Sequence, residues 1–193
     1  MNAHARSDNG VFRISCRPSH HLDDSYNAES GHEKFHILLL GRPKSGKTFL
    51  CHQVMGISPI SPYTRTIEET YVYPKSTSIT LVDIGGKDPV DNLAKDCIRT
   101  ADSYILVCDP SDLEAKRYCD EVSELLYNKP AAIVLNRLPL DAPGQESVED
   151  LRMVAAGREW GFFDDDAALD KACGELRNRL LYRRARGIDQ VDR

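Results

Sequence analysis

The chain has one tryptophan and three methionines among its 193 residues, and no apolar run close to the ~20 residues of a bilayer-crossing helix. A helical membrane span is therefore excluded. The N-terminus is polar and lacks the apolar centre of a signal peptide. The ending "GIDQVDR" carries no prenylation signal, and Asn2 in the second position gives no myristoylation signal. No C-x-x-C pair occurs among the six cysteines (Cys16, Cys51, Cys97, Cys108, Cys119, Cys173). Several sit in apolar runs, which favours buried thiols in a reducing, cytoplasmic setting over disulfides. Basic residues do not dominate either. Lys and Arg number 25 against 30 Asp and Glu, for a net charge of −5, which argues against a nucleic-acid partner. What is present is globular in kind, with 41% apolar and 28% charged residues, enough for one domain with a real core.

Residues 1–33 show no sustained period and are rich in His, Ser, Asp, Asn and Gly, as expected of a disordered extension. Its "HHLDD" has no second cluster that would complete a metal shell, and a solvated tail is the expected role. From residue 34 to 184 strands and helices alternate, and 185–193 read as a C-terminal tail. "FHILLL" is a buried strand, and a helix follows to about Met55. "EETYVYP" and "SITLVDI" form a hairpin around "PKST". Val90, Leu93, Ala94, Cys97 and Ile98 recur as one helix face, and "SYILVCD" follows as a buried strand. Tyr118, Val122, Leu125 and Leu126 mark another helix, and "AAIVLN" another strand. Ser147 with Asp150 predicts a helix cap, with its helix running to about Arg158. "WGFFD" is a short last strand before a helix bearing Leu169, Ala172, Cys173, Leu176, Leu180 and Leu181. This order predicts an α/β fold, a mostly parallel six-stranded sheet covered by helices on both faces. Ligands of such sheets bind at the carboxyl ends of the strands, where Gly41, Asp83, Asp109, Asn136 and Asp164 gather.

"GRPKSGKTF", Gly41 to Phe49, fits G-x-x-x-x-G-K-[ST] between a strand and a helix. Gly41 and Gly46 permit the backbone angles that turn successive N–H groups toward phosphate oxygens, and the helix adds its positive end. Lys47 would reach the β- and γ-phosphates, and Thr48 would offer its hydroxyl oxygen to Mg²⁺. Pro43, Lys44, Ser45 and Phe49 complete the loop and first turn around the ligand. Asp83 ends the strand "ITLVD" and could hold Mg²⁺ through a water, with the Gly86 N–H meeting a γ-phosphate oxygen.

"YTRTIEETY", Tyr63 to Tyr71, resembles the effector loop of the Ras family of small GTPases, and Thr66 lies eighteen residues after Thr48, as in that family. "CIRTADSYILVCD" resembles the family's second switch helix and central strand. The resemblance runs from about Phe35 to Tyr182 and is most specific in the first half. It implies a P-loop small GTPase-like fold, GTP/GDP and Mg²⁺ as ligands, and a GTP-hydrolysing signalling switch, whose intrinsic hydrolysis Lys87 is expected to make slow. Thr48, Thr66 and Asp83 would serve the metal, and Lys47, Thr66, Gly86 and Lys87 would stand around the reacting phosphate. Tyr63 would cover the nucleotide, while Asn136, Arg137 and Ala167 would border the base. Effector proteins would dock on Thr66 to Tyr71, with exchange and activating proteins as further partners of a monomer.

Four departures qualify the resemblance. Lys87 replaces the glutamine that orients attacking water, and a charged lysine cannot accept a proton. Pro43 removes one N–H from the cradle. "NRLP", Asn136 to Pro139, lacks the carboxylate that accepts from guanine. Two buried donors left unpaired cost about 2–6 kcal/mol together, on the order of thirtyfold to ten-thousandfold in affinity. Asp141 would substitute only if the "LPLD" turn folded back. "FFDDDAAL" replaces the base-capping S-A-K element, with Ala167 as its small residue and its acidic run reading as a helix N-terminus or, second to that, a substitute acceptor. The alternative is thus a pseudo-GTPase, an interaction scaffold with weak or base-unselective nucleotide binding. The basic end "RLLYRRAR" reads as a solvated helix end, with at most weak peripheral membrane contact.

Overall fold

The computed structural model describes residues 34–58, 69–85, 92–126, 128–136 and 145–188. The extension 1–33 and most of the tail lie outside them. In chain order the elements are β1 (Phe35–Leu40), α1 (Lys47–Met55), β2 (Glu69–Val72), β3 (Ile79–Asp83), α2 (Asn92–Thr100), β4 (Ser103–Cys108), α3 (Ala115–Ser123), β5 (Ala131–Leu135), α4 (Gln145–Gly157), β6 (Gly161–Phe163) and α5 (Ala168–Ala185). The strands form one six-stranded sheet in the order β2-β3-β1-β4-β5-β6. Only β2 runs antiparallel, paired with β3 as the predicted hairpin; the other pairs are parallel.

Strand periodicity divides the core. Leu38, Leu40, Tyr104, Leu106, Ile133 and Leu135 face α2, α3 and α4. Their alternating neighbours Ile37, Leu39, Ile105, Val107, Ala132 and Val134 face α1 and α5. The fully buried β4 and β5 therefore need apolar side chains on both faces, which is why their sequences do not alternate. Helix α5 buries Leu169, Ala172, Cys173, Leu176 and Leu180 along one stripe. Helix α1 stops at Gly56, whose φ of 66° lets its N–H reach the Gln53 carbonyl at 3.2 Å and the Ile57 N–H reach His52 at 2.8 Å. The five described cysteines are free thiols. Burial pushes the Cys173 thiol up to about 12 and Cys51 well above its ordinary value.

Two local expectations are corrected. Helix α4 begins at Gln145, so Ser147 lies inside it, and its hydroxyl donates to the Pro110 carbonyl at 2.9 Å. A tertiary acceptor has replaced the predicted cap. Helix α3 ends at Ser123, before Leu125 and Leu126, because the Leu125 and Leu126 N–H groups bond three residues back, to Val122 and Ser123.

Leu106 has no exposed surface, whereas Leu113 is 90% exposed. Leu106→Ala is expected to cost about 3 kcal/mol, or roughly 6–12 °C in Tm for a chain of this size. Leu113→Ala should leave the thermal melt within about 2 °C of the parent.

Candidate functional site

The phosphate loop joins β1 to α1 at the carboxyl edge of the sheet. The Ser45 N–H donates to the Arg42 carbonyl at 3.2 Å, closing a turn with Pro43 and Lys44 at its centre. Lys44 has φ 68°, the left-handed angle of the third residue in a type II turn, and Pro43 supplies the preset φ of the second. The proline removes an N–H yet shapes the turn. Gly46 follows at φ 89°, and a Cβ there would lie 1.7 Å from Asn136 Nδ2, so glycine is required twice over. A Cβ on Gly41 would lie 2.4 Å from the Val107 carbonyl oxygen.

Lys47 enters this bend almost wholly buried, with 4% of its surface exposed. Its Nζ donates to the carbonyls of Gly41 at 2.9 Å and Arg42 at 3.1 Å. Burial lowers its pKa from the ordinary lysine value, and the nearby Asp83 opposes that shift. At its foot, Thr48 Oγ1 donates to Asp83 Oδ2 at 2.5 Å, while Asp83 Oδ1 accepts the Gly85 N–H at 3.0 Å. The hydroxyl and carboxylate form the paired oxygen donors that suit Mg²⁺, which commonly takes one or two protein oxygens and completes its shell with phosphate and water. The buried Ser45 Oγ has no hydrogen-bond partner among the described residues, which leaves a donor in the loop for an anionic oxygen.

Three supports were not read from the sequence in these roles. Tyr118, seen there as one residue of an apolar helix face, accepts the Gly41 N–H on its hydroxyl at 3.1 Å. Asn136, expected beside a base, is buried and donates from Nδ2 to the Ser45 carbonyl at 3.0 Å. Arg42 pairs with Asp112 at 3.1 Å, tying the loop to the segment after β4. Partners 77 and 91 residues apart leave no local pattern to detect.

Gly41, Pro43, Lys44, Ser45, Gly46, Lys47, Thr48, Asp83 and Asn136 are thus brought to one edge. Phe49 lies in the first turn of α1, 40% exposed. Ala167 precedes α5, and its N–H donates to Asp165 Oδ1 at 3.0 Å. The Lys171 ammonium bound to that carboxylate lowers the Asp165 pKa. Asp165 thus shapes the turn before α5, while Ala167 at the helix cap has no side-chain capping bond and the acidic residue of the first turn is Asp170. Tyr63, Thr66, Gly86, Lys87, Arg137, Pro139 and Asp141 lie outside the described residues.

A strand, a glycine loop folded round a buried lysine, and a helix at the edge of a parallel sheet define the class of phosphate-loop nucleotide-binding proteins. The chain belongs to the family described as 50S ribosome-binding GTPase, whose model matches residues 36–137, just over half of its length. It is also similar to a protein described as GTP-binding protein Rheb homolog from Drosophila melanogaster. The two are 24% identical over 161 residues, which cover 76% of this chain and 86% of the relative. Both findings agree with the resemblance seen in the effector-loop segment: this is a divergent Ras-like small GTPase. The family match stops at Arg137, where the expected base-recognition sequence also breaks.

Gly46→Ala should lower stability by at least about 2 kcal/mol, a fall of roughly 4–8 °C in Tm, since it meets both a positive φ and Asn136. Lys44→Gly relieves a left-handed lysine at some cost in chain entropy and should change stability by only about 0.5 kcal/mol. Paired thermal melts of the ligand-free proteins check both.

Proposed function

We propose that the protein is a Mg²⁺-dependent GTP/GDP switch with slow intrinsic hydrolysis, engaging effector proteins through Thr66 to Tyr71. The observation that carries this reading is the buried Lys47 ammonium inside the loop, with the Thr48–Asp83 oxygen pair beside it. Lys47 would exchange its two carbonyl partners for β- and γ-phosphate oxygens. Thr48 and Asp83 would hold Mg²⁺, directly or through water, together with Thr66, and the metal would neutralise charge on the phosphates. In hydrolysis a water oxygen attacks the γ-phosphorus and the bond to the β-bridging oxygen breaks, releasing GDP and phosphate. Thr66 and the Gly86 N–H would position that water and the γ-phosphate. Lys87, cationic where an orienting amide is expected, offers no acceptor for the water's proton, so turnover is slow without an activating protein. Loss of the γ-phosphate would release the Thr66 segment, altering the face that partners read.

Arg137 would cover the base with its stem, and Asn136 would border it while bracing the loop. Pro139 in place of the guanine-accepting carboxylate favours weakened selectivity and motivates the second reading, a pseudo-GTPase scaffold. The ribosome in the family's description is not carried over to this chain. Among the described residues no helix is long and apolar enough to cross a membrane; cytoplasmic residence is part of the proposal.

Purified protein with Mg²⁺ should retain labelled GDP and GTP at micromolar concentrations, and Lys47→Ala or Asp83→Ala should lower retention at least about tenfold. Inosine triphosphate should compete nearly as well as GTP, while failure of every triphosphate to bind would leave the scaffold reading. Anion binding restores the lysine charge that burial disfavours. Affinity should therefore fall as pH rises through the lowered free-state pKa of Lys47, below the ordinary 10.5. Lys47→Arg, charged throughout, should bind more weakly without that fall, as read by titration of fluorescent GDP.

A further inference from the structure

A cavity of about 730 Å³ opens at the amino edge of the sheet, opposite the phosphate loop, where β5 and β6 begin. Trp160, Leu126 and Pro130 give it an apolar wall. Its charged lining is Lys129, Arg158, Arg179 and Arg183 against Glu159 and Glu175; Arg179 pairs with Glu175 at 2.6 Å and Arg158 with Asp120 at 2.9 Å, which leaves a small surplus of positive charge. Two lining residues, Asn128 and Glu159, hold left-handed angles of 55° and 57°. The carbonyl of Glu159 accepts from Arg179 at 2.6 Å and that of Asn128 from Arg183 at 3.3 Å. Two arginines one turn apart on α5 thus secure the strained ends of the α3 and α4 connections, and the cavity's rim is braced.

The described chain begins at this same edge, with Lys34. Because β1, β4, β5 and β6 are mutually parallel, Lys34 precedes β1 on the side where Pro130 precedes β5. Two strand spacings separate β1 from β5, about 10 Å. Arg184 joins the two places. Its guanidinium lies 4.4 Å from the Phe35 ring centroid, and its chain neighbour Arg183 lines the cavity. Residues 20–33, "HHLDDSYNAESGHE", contain Asp23, Asp24, Glu29 and Glu33 and no lysine or arginine. Leu22 and Tyr26 are its larger apolar side chains. From Asp24 to Lys34 the chain spans at most about 33 Å, ample for the distance required.

We infer that the acidic segment Leu22 to Tyr26 docks within its own chain into the cavity beside Trp160, its aspartates meeting the basic lining and its Leu22 and Tyr26 the apolar wall. A short tether supplies an effective concentration in the millimolar range, so even a weak intrinsic affinity fills the cavity substantially. The inference is independent of nucleotide chemistry at the opposite edge.

Trp160 is the sole tryptophan and reports directly on the cavity. In the full chain, carbodiimide coupling should yield an amide between Asp23 or Asp24 and Lys129. Mixed light and heavy isotopic chains should show that link within single chains. Acrylamide quenching of Trp160 should rise about twofold in Asp23→Lys/Asp24→Lys, as expected if a half-filled site empties. Retention of GDP by that variant should not change. Absence of the link, unchanged quenching, or links found only between light and heavy chains would each overturn the inference, the last in favour of a second copy as occupant.

Discussion

Lys47 carries a charge to a place where almost none of its surface meets water, and the surrounding backbone is bent to make that tolerable. An ammonium removed from solvent is costly unless donors and acceptors are matched around it. Here the Gly41 and Arg42 carbonyls face it and the Asp83 carboxylate lies near. Turning those carbonyls inward obliges the loop to double back through Lys44 and Gly46 at positive φ. The bend needs holding from outside, which Tyr118 and Asn136 do from α3 and the end of β5. The result is a cation positioned in advance of any anion, so little rearrangement is needed on binding.

The same constraint explains why the site draws on so many strands. Parallel strands all end on one edge, so β1 delivers the loop, β3 delivers Asp83 and β5 delivers Asn136 within reach of one another. Thr48 and Asp83 meet because Leu39 pairs with Asp83 across the β1–β3 ladder, setting the carboxylate level with the start of the loop. At the opposite edge the strands begin, and there α5 spreads its arginines over the ends of α3 and α4. Two surfaces of different chemistry thus share one sheet, the first built from backbone amides and a buried lysine, the second from guanidinium groups and an aromatic wall.

Strand and helix order was legible because buried parallel strands are continuously apolar and the helices carry apolar stripes, both local properties. The phosphate loop was legible for the same reason: its lysine, glycines and hydroxyl must follow one another on a single bend. Legibility failed where a partner came from afar. Ser147 has the form of a cap, yet Pro110 took its hydroxyl. Asn136 carried a family expectation of base contact, and no local pattern told that its amide also braces Ser45.

By itself, then, the order of residues determined the elements, the anion-binding bend and the acidic or basic character of each segment, since these depend on neighbours in the chain. The tertiary structure decided which side chains hold the bend in place, and it gathered Trp160 and the α5 arginines around one cavity. Those contacts join residues tens of positions apart, and only the packing of helices on a parallel sheet sets their distances.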